Sequence, residues 1–172
     1  MPDTEVFTLA TCASPLGKLL LILDGPALVA LDFEDYEPRM MRLLKRRFPH
    51  ATLKAGPAPK AVSGALKAYF TGRHDALDGL EVRMGGTAFQ QRVWAALRDI
   101  PPGETRGYGA LAAMLGKPSA SRAVGLANGS NPVAIVVPCH RVIGASGALT
   151  GYAGGLARKT YLLRHEGAAF RA

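Results

Sequence analysis

Asn131-Pro-Val-Ala-Ile-Val-Val-Pro-Cys-His-Arg141 is the stretch from which the rest of this chain is best read. Its apolar run, Val133 to Val137, is rich in β-branched residues and lies between Pro132 and Pro138. Such a run, bounded by prolines, predicts a short buried strand. Pro138 has no N–H and a fixed φ, so it sets the angle at which the chain leaves that strand. Cys139 then stands at the rim of a core, followed directly by an imidazole and a guanidinium. Basic neighbours favour thiolate over thiol, which makes Cys139 a candidate nucleophile. On the tripeptide alone, the competing reading is a small core cysteine beside a solvent-facing histidine.

The 172 residues, 48% of them apolar, can build one large domain or two small ones with a proper core. Two cysteines, Cys12 and Cys139, make no disulfide framework and no C-x-x-C pair. That usage suits a reducing, cytoplasmic compartment. No apolar run reaches the length of a membrane span. Leu19 to Leu23 is interrupted by Asp24-Gly25-Pro26 and the N-terminus is not basic, so no signal peptide is expected. Charge is unevenly placed. Residues 1–82 hold ten Lys/Arg and ten Asp/Glu. Residues 83–172 hold eleven Lys/Arg against Asp99, Glu104 and Glu166, which is the whole net charge of +8. The half that carries Cys139 therefore suits an acidic partner, and nucleic acid is the commonest large one. A basic but idle surface is the alternative.

Outward from the opening stretch, two helices precede it. Tyr108 to Leu115 ends at Gly116, a glycine suited to the left-handed residue after a helix. A second helix of about 119–129 follows, for which Ser119 is the candidate cap. This pair, about 108–129, has the outline of a helix-turn-helix. Its second helix is built of Ser, Ala, Gly and Asn, so it can approach a backbone or a narrow groove closely; tight helix packing uses the same residues. Before it, Thr87 opens a helix through a T-x-x-Q capping box with Gln90. Phe89, Val93, Leu97 and Ile100 keep helical spacing, and Pro101-Pro102-Gly103 closes the element.

Residues 72–86 read as a linker. Upstream, Leu19–Leu23 and Ala27–Leu31 form a hairpin around Asp24-Gly25-Pro26. Pro38 to Phe48 and Ala61 to Phe70 are helices, the first ending in Lys45-Arg46-Arg47, a solvated cationic terminus. After the cysteine, Gly144 to Gly155 is glycine-rich without the spacing of a phosphate loop. A last helix, about 156–166, is closed by Gly167.

A thiol nucleophile needs a base, and the base needs an orienting group. His140 is the candidate base. Glu166 is the carboxylate that a returning last helix would bring to it, with Asp99 and Glu104 as rivals.

Here the residues carry a resemblance. The stretch from Asn131 to Gly144, Gly151-Tyr-Ala-Gly-Gly-Leu-Ala157 and Leu162-Leu-Arg-His-Glu-Gly167 resemble the O6-alkylguanine-DNA alkyltransferases. Phe89-Gln90, Val93-Trp94, Tyr108-Gly109 and Arg122-Ala-Val-Gly125 agree in order and spacing. The likeness is close over residues 87–167 and only in outline before that.

The resemblance implies a fold and a set of roles. The N-terminal domain (1–82) would be α/β, a ribonuclease-H-like β-sheet with flanking helices. The C-terminal domain (83–172) would be mainly helical with a winged helix-turn-helix, the active-site motif falling at 138–141. Cys139 would accept an alkyl group from O6-alkylguanine in double-stranded DNA and keep it. His140 with Glu166 would deprotonate Cys139 through a water, and Asn131 would brace that network. Tyr108 would donate a proton toward guanine N3. Arg122 would fill the gap left by a flipped nucleotide.

Ser119, Ser121, Ala123, Gly125, Asn128 and Arg141 would share the DNA surface, in the minor groove. Val142, Tyr152, Ala153, Gly154, Gly155 and Ala134 would shape the base pocket. Gly107 and Ala153 replace serines found in other members, and Ala134 a proline. Some members hold zinc in the N-terminal domain through two Cys and two His. Only Cys12, His50 and His74 are available here, so neither metal nor cofactor is expected. The expected state is a monomer, with cooperative assembly on DNA and O4-alkylthymine as a second substrate left open. A lesion sensor without chemistry and a Cys-His hydrolase without DNA are the alternatives; the presence of Cys139 argues against the first, and the basic half with Arg122 against the second.

Overall fold

The computed structural model describes residues 4–171. They form two compact units: one runs through Gly86 and adds Pro132–Val136, the other comprises Thr87–Asn131 and the residues from Val137 onward.

The first unit is a four-stranded sheet in the order β3-β2-β1-β4, built from β1 (Val6–Cys12), β2 (Leu19–Asp24), β3 (Ala27–Phe33) and β4 (Thr52–Ala55). β1–β2 and β2–β3 are antiparallel, and β1–β4 is parallel. Asp24 pairs with Ala27 at the tight turn where Gly25 has φ +57°, a value glycine reaches without strain. β2 and β3 are buried almost throughout; β3 is at the sheet's edge, but Val82 and Val133 bridge to it there.

Helix α1 (Glu37–Arg47) begins with Pro38 in its first turn and buries Met40, Leu43 and Leu44. Met40 and Leu44 pack with Phe7, Leu20, Ile22, Val29 and Ala30 of the sheet. Of the cationic run at its end, Lys45 and Arg46 are exposed, but Arg47 is not a solvated cation. Its guanidinium donates to Val29 O (2.9 Å) and Met84 O (2.7 Å), joining the helix to the sheet and to the 72–86 segment. Burial, with Arg39 nearby, pushes its pKa down to about 10. α2 (Lys60–Phe70) buries Val62, Leu66 and Tyr69 at helical spacing. The 72–86 segment is irregular but not loose: Leu28 N donates to Glu81 O and Arg83 N to Leu28 O.

The second unit is mainly helical. α3 (Ala88–Arg98) starts at the expected capping box, Gln90 N to Thr87 Oγ1 at 3.1 Å and Thr87 N to Gln90 Oε1 at 3.0 Å. α4 (Tyr108–Met114) ends at Gly116 (φ +73°), where Lys117 N donates to Ala112 O. α5 (Ser121–Gly129) starts two residues later than expected. Ser119 lies in the preceding turn and does not cap it; Ala120 holds the cap position. Trp94 joins α3 to α5 by donating from Nε1 to Ala127 O at 2.9 Å. Two short parallel strands, β5 (Arg106–Gly107) and β6 (Val142–Ile143), form the small sheet. α6 (Leu156–His165) closes with Gly167 at φ +77° and Ala168 N donating to Leu163 O.

The opening stretch is buried as expected, but it is not a strand. Only Val133 makes a bridge, to Leu31. Leu31 N donates to Pro132 O and Ala134 N to Leu31 O, after which the chain turns. Ile135 has φ +72°, Val136 N reaches back to Ala134 O, and Cys139 N to Val137 O. Cys139–Arg141 is then a turn of 3-10 helix. Apolar content correctly reports burial here, whereas the backbone path is set by where those few bonds fall.

Candidate active site

The 3-10 turn puts three consecutive side chains into the interior of the second unit. Cys139, His140 and Arg141 are all buried, and neither Cys139 nor Cys12 forms a disulfide. α6 ends beside them because Gly167 terminates it, leaving Glu166 at its C-cap with a fully buried carboxylate. That carboxylate takes His140 Nε2 at 2.8 Å on Oε2. It also takes Arg141 Nε at 2.8 Å on Oε1 and Arg141 Nη2 at 2.9 Å on Oε2. Arg141 Nη1 donates to Ile100 O at 2.6 Å. Both oxygens are thus held in a fork geometry that suits guanidinium and carboxylate.

The protonation states follow. Burial alone would raise Glu166, but His140 and Arg141 outweigh it and hold its carboxyl well below the usual carboxylate range. Burial lowers His140, with Glu166 opposing and Arg141 and Lys159 adding to the effect. The imidazole is therefore neutral beside an ionised carboxylate. A carboxylate only accepts, so Nε2 carries the proton and Nδ1 has the lone pair. Nδ1 is buried and makes no hydrogen bond to the described residues. This is the tautomer a general base requires. The rival carboxylates are not in position. Glu104 pairs with Arg106, and Asp99 is an exposed helix cap.

Asn131 is also buried and donates from Nδ2 to Val137 O at 2.8 Å, fixing the approach to Pro138. Lys159, one turn into α6, is fully buried. Its Nζ donates to Val142 O at 2.6 Å and Thr150 O at 3.2 Å. Burial pushes its pKa down to about 8, and the charge on Cys139 opposes that. An ammonium so placed favours the thiolate. Tyr108 opens α4 and its hydroxyl is 2.9 Å from Thr150 Oγ1.

Two residues expected on a DNA surface face inward instead. Arg141 is spent on Glu166 and Ile100. Asn128 is buried on the inner side of α5, its Nδ2 3.5 Å from Cys139 O. The resemblance implied a place on the DNA surface for both, but the ionised Glu166 draws Arg141 in, and helical phase turns Asn128 inward. Ser119, Ser121, Arg122 and Ala123 are exposed, as is Leu126 at 71%. Gly125 instead faces Tyr108: a Cβ on it would lie 3.7 Å from ring atoms. Tyr152, Ala153 and Gly155 are partly buried and Gly154 buried in the loop before α6. Ala134 is buried in the segment that joins the first unit.

Two family models match, 6-O-methylguanine DNA methyltransferase ribonuclease-like domain over residues 8–84 and its DNA-binding domain over residues 88–168. A methylated-DNA–protein-cysteine methyltransferase of Salmonella typhimurium is 52% identical over 90% of this chain and 92% of that protein. The Mycobacterium tuberculosis protein of the same name is 50% identical over 91% and 90%. The chain belongs to the methylated-DNA–protein-cysteine methyltransferase family. The fold agrees. A crystal structure of Mycobacterium tuberculosis OGT in complex with DNA superposes with TM-score 0.77 at 45% identity, covering 93% of this chain and 92% of that one. A structure from Pyrococcus kodakaraensis gives 0.69 at 25% identity over 94% and 99%.

For a member of this family, two site residues were not singled out in the sequence. Lys159 carries a visible signal: it shares a helical face with Leu162, Leu163 and Glu166, so its amine must go into the core. Thr150 carries none, because its partner Tyr108 is 42 positions away.

Proposed function

We propose that this protein repairs O6-alkylguanine in double-stranded DNA by moving the alkyl group irreversibly to Cys139. The observation that carries this reading is a cysteine adjacent to a buried, neutral imidazole whose tautomer is fixed by an ionised Glu166. His140 Nδ1 takes the Cys139 proton through one water. The thiolate, with Lys159 favouring its charge, attacks the alkyl carbon. Tyr108 protonates guanine N3, since a bare guanine anion leaves poorly. Asn131 holds the carbonyl that precedes Pro138 and so steadies the turn.

A base stacked in a duplex cannot reach a buried thiol, so the nucleotide is rotated out and Arg122 takes its place. The exposed Ser119, Ser121, Arg122 and Ala123 offer a surface of short side chains to a minor groove. Gly125 lies opposite the Tyr108 ring. Tyr152, Ala153, Gly154, Gly155 and Val142 shape the base pocket. Val142 O already accepts from Lys159, and its second lone pair is the one left for a base. We assign DNA binding and alkyl acceptance to residues 83–172, with residues 1–82 as a separate domain. No helix among the described residues is long and apolar enough to cross a membrane, and we place the protein in the cytoplasm, acting as a monomer.

The thioether formed is stable, so one protein is consumed per lesion. Incubation with duplex DNA carrying O6-methylguanine, then intact mass and peptide mapping, tests the reading. One methyl group per protein on Cys139, absent in Cys139→Ala, is the expected result. Tight lesion binding with no adduct would instead indicate a non-catalytic sensor.

A further inference from the structure

Tyr108 is the first residue of α4, and its cap position is Gly107, which has no side chain to hold it. Its ring lies opposite Gly125, where an added Cβ would be 3.7 Å from ring atoms. That side of the ring offers nothing to direct the hydroxyl proton. Among the described residues the hydroxyl's hydrogen-bond partner is Thr150 Oγ1, at 2.9 Å. Thr150 is itself firmly held. Its carbonyl accepts from the buried Lys159 ammonium, which also holds Val142 O. Gly144 N donates to Ala148 O at 2.8 Å, closing the turn before it. A Cβ on Gly144 would lie 3.3 Å from Thr150 Cγ2 and 3.2 Å from Ala148 O, so glycine there lets the threonine seat.

We propose that Thr150 is a positioning residue for alkyl transfer, its hydroxyl donating to Tyr108 Oη so that the Tyr108 proton is directed at the bound base. This rests on Tyr108 acting as the acid, as proposed above. Either oxygen can donate in the resting protein. When a base is present the Tyr108 proton is needed at N3, which leaves only the threonine as donor. In the transfer the Cys139 sulfur bonds to the alkyl carbon and the carbon–O6 bond breaks. Its electron pair passes into the purine while the Tyr108 proton moves to N3. Negative charge then develops on Oη, where the Thr150 hydrogen bond strengthens. The proton that His140 removed from Cys139 returns to Tyr108 through solvent. The net exchange is alkyl to sulfur and one proton to guanine.

Single-turnover transfer by the full chain tests this, with duplex O6-methylguanine and with the same duplex carrying O6-methyl-3-deazaguanine, which has no N3 to protonate. Thr150→Val should slow transfer roughly tenfold to a hundredfold, the effect of one charge-assisted bond felt only in the transition state. Its affinity for the duplex should not change, and Thr150→Ser should restore the rate. Thr150→Ala serves as a second truncation if the valine disturbs the turn. On the 3-deaza base, wild type and Thr150→Val should be equally slow. Unchanged transfer by Thr150→Val overturns the proposal alone, as does an equal slowing on both bases, which would mark Thr150 as merely structural. If the wild type methylates no Cys139, or Tyr108→Phe transfers at full rate, the reading beneath it fails first.

Discussion

Glu166→Gln should unfold the second unit more readily and nearly silence it. The carboxylate is buried and accepts three charge-assisted bonds, one from His140 and two from Arg141. A glutamine keeps one acceptor oxygen and turns an NH2 toward groups that themselves donate. Arg141, 5% exposed, is left as a buried cation with one carbonyl partner. Removing one partner of a buried ion pair costs about 3–5 kcal/mol. Loss of the imidazole's orienting group lowers transfer about 10²–10⁴-fold, the range of general acid–base assistance.

Urea unfolding followed by Trp94 fluorescence reads the first number. Trp94 is the sole tryptophan, buried in this unit. Single-turnover methyl transfer reads the second. The pH dependence gives an independent check. Glu166 titrates below a free carboxyl when folded, so its contribution is fully present above about 4.5 and lost as pH falls further. His140 is held below 6.5, so the unfolded chain takes up that proton first and stability also declines below about 6.5. Glu166→Gln should lose the lower limb. A variant within about 1 kcal/mol of wild type, with an unchanged rate, would refute the assignment of Glu166.

Arg122→Ala should leave stability within about 0.5 kcal/mol, because the side chain is exposed. It should slow transfer from a duplex far more than from a single strand, where no stacked partner must be replaced; equal slowing on both would count against the finger role. Lys159→Met removes a buried amine of pKa about 8 against an ordinary 10.5. The unfolded chain keeps that proton longer, so wild type should gain stability relative to the variant as pH rises from about 8 to about 10.5, by denaturant titration; a constant difference would show that the fold does not lower the pKa of Lys159. Ile135→Gly relieves a left-handed conformation worth about 1–2 kcal/mol but deletes a side chain only 1% exposed, worth about 2–5 kcal/mol. The cavity should win, giving a net loss in urea; a stabilised variant would mean the strain had been underestimated.

What was legible in the sequence was what short range decides. Thr87 and Gln90 cap α3 because the capping box is a local hydrogen-bond exchange. Gly116 and Gly167 end α4 and α6 because the left-handed turn is a single-residue property. Likeness to a family was a poorer guide to direction. Arg141 and Asn128, which the resemblance placed on the DNA surface, turn inward. Lys159 is a cation inside a core, stabilised by two carbonyls that are distant in sequence.

The 131–141 stretch shows why the limit falls there. Strand was the natural reading of Val133–Val137, yet only Val133 is bridged, and the ladder stops once Leu31 has spent both its N–H and its C=O. From Ala134 onward the chain has no strand partner, and it satisfies its N–H groups by reaching back two residues, at Ala134 and again at Val137. Those tight turns force Ile135 into a conformation that β-branched residues avoid. Further on, Cys139, His140 and Arg141 form a turn of 3-10 helix whose His140 and Arg141 side chains meet Glu166. Neither the positive φ at Ile135 nor that 3-10 turn is encoded in any periodicity of the run, because both depend on which backbone groups find partners and not on where apolar residues fall.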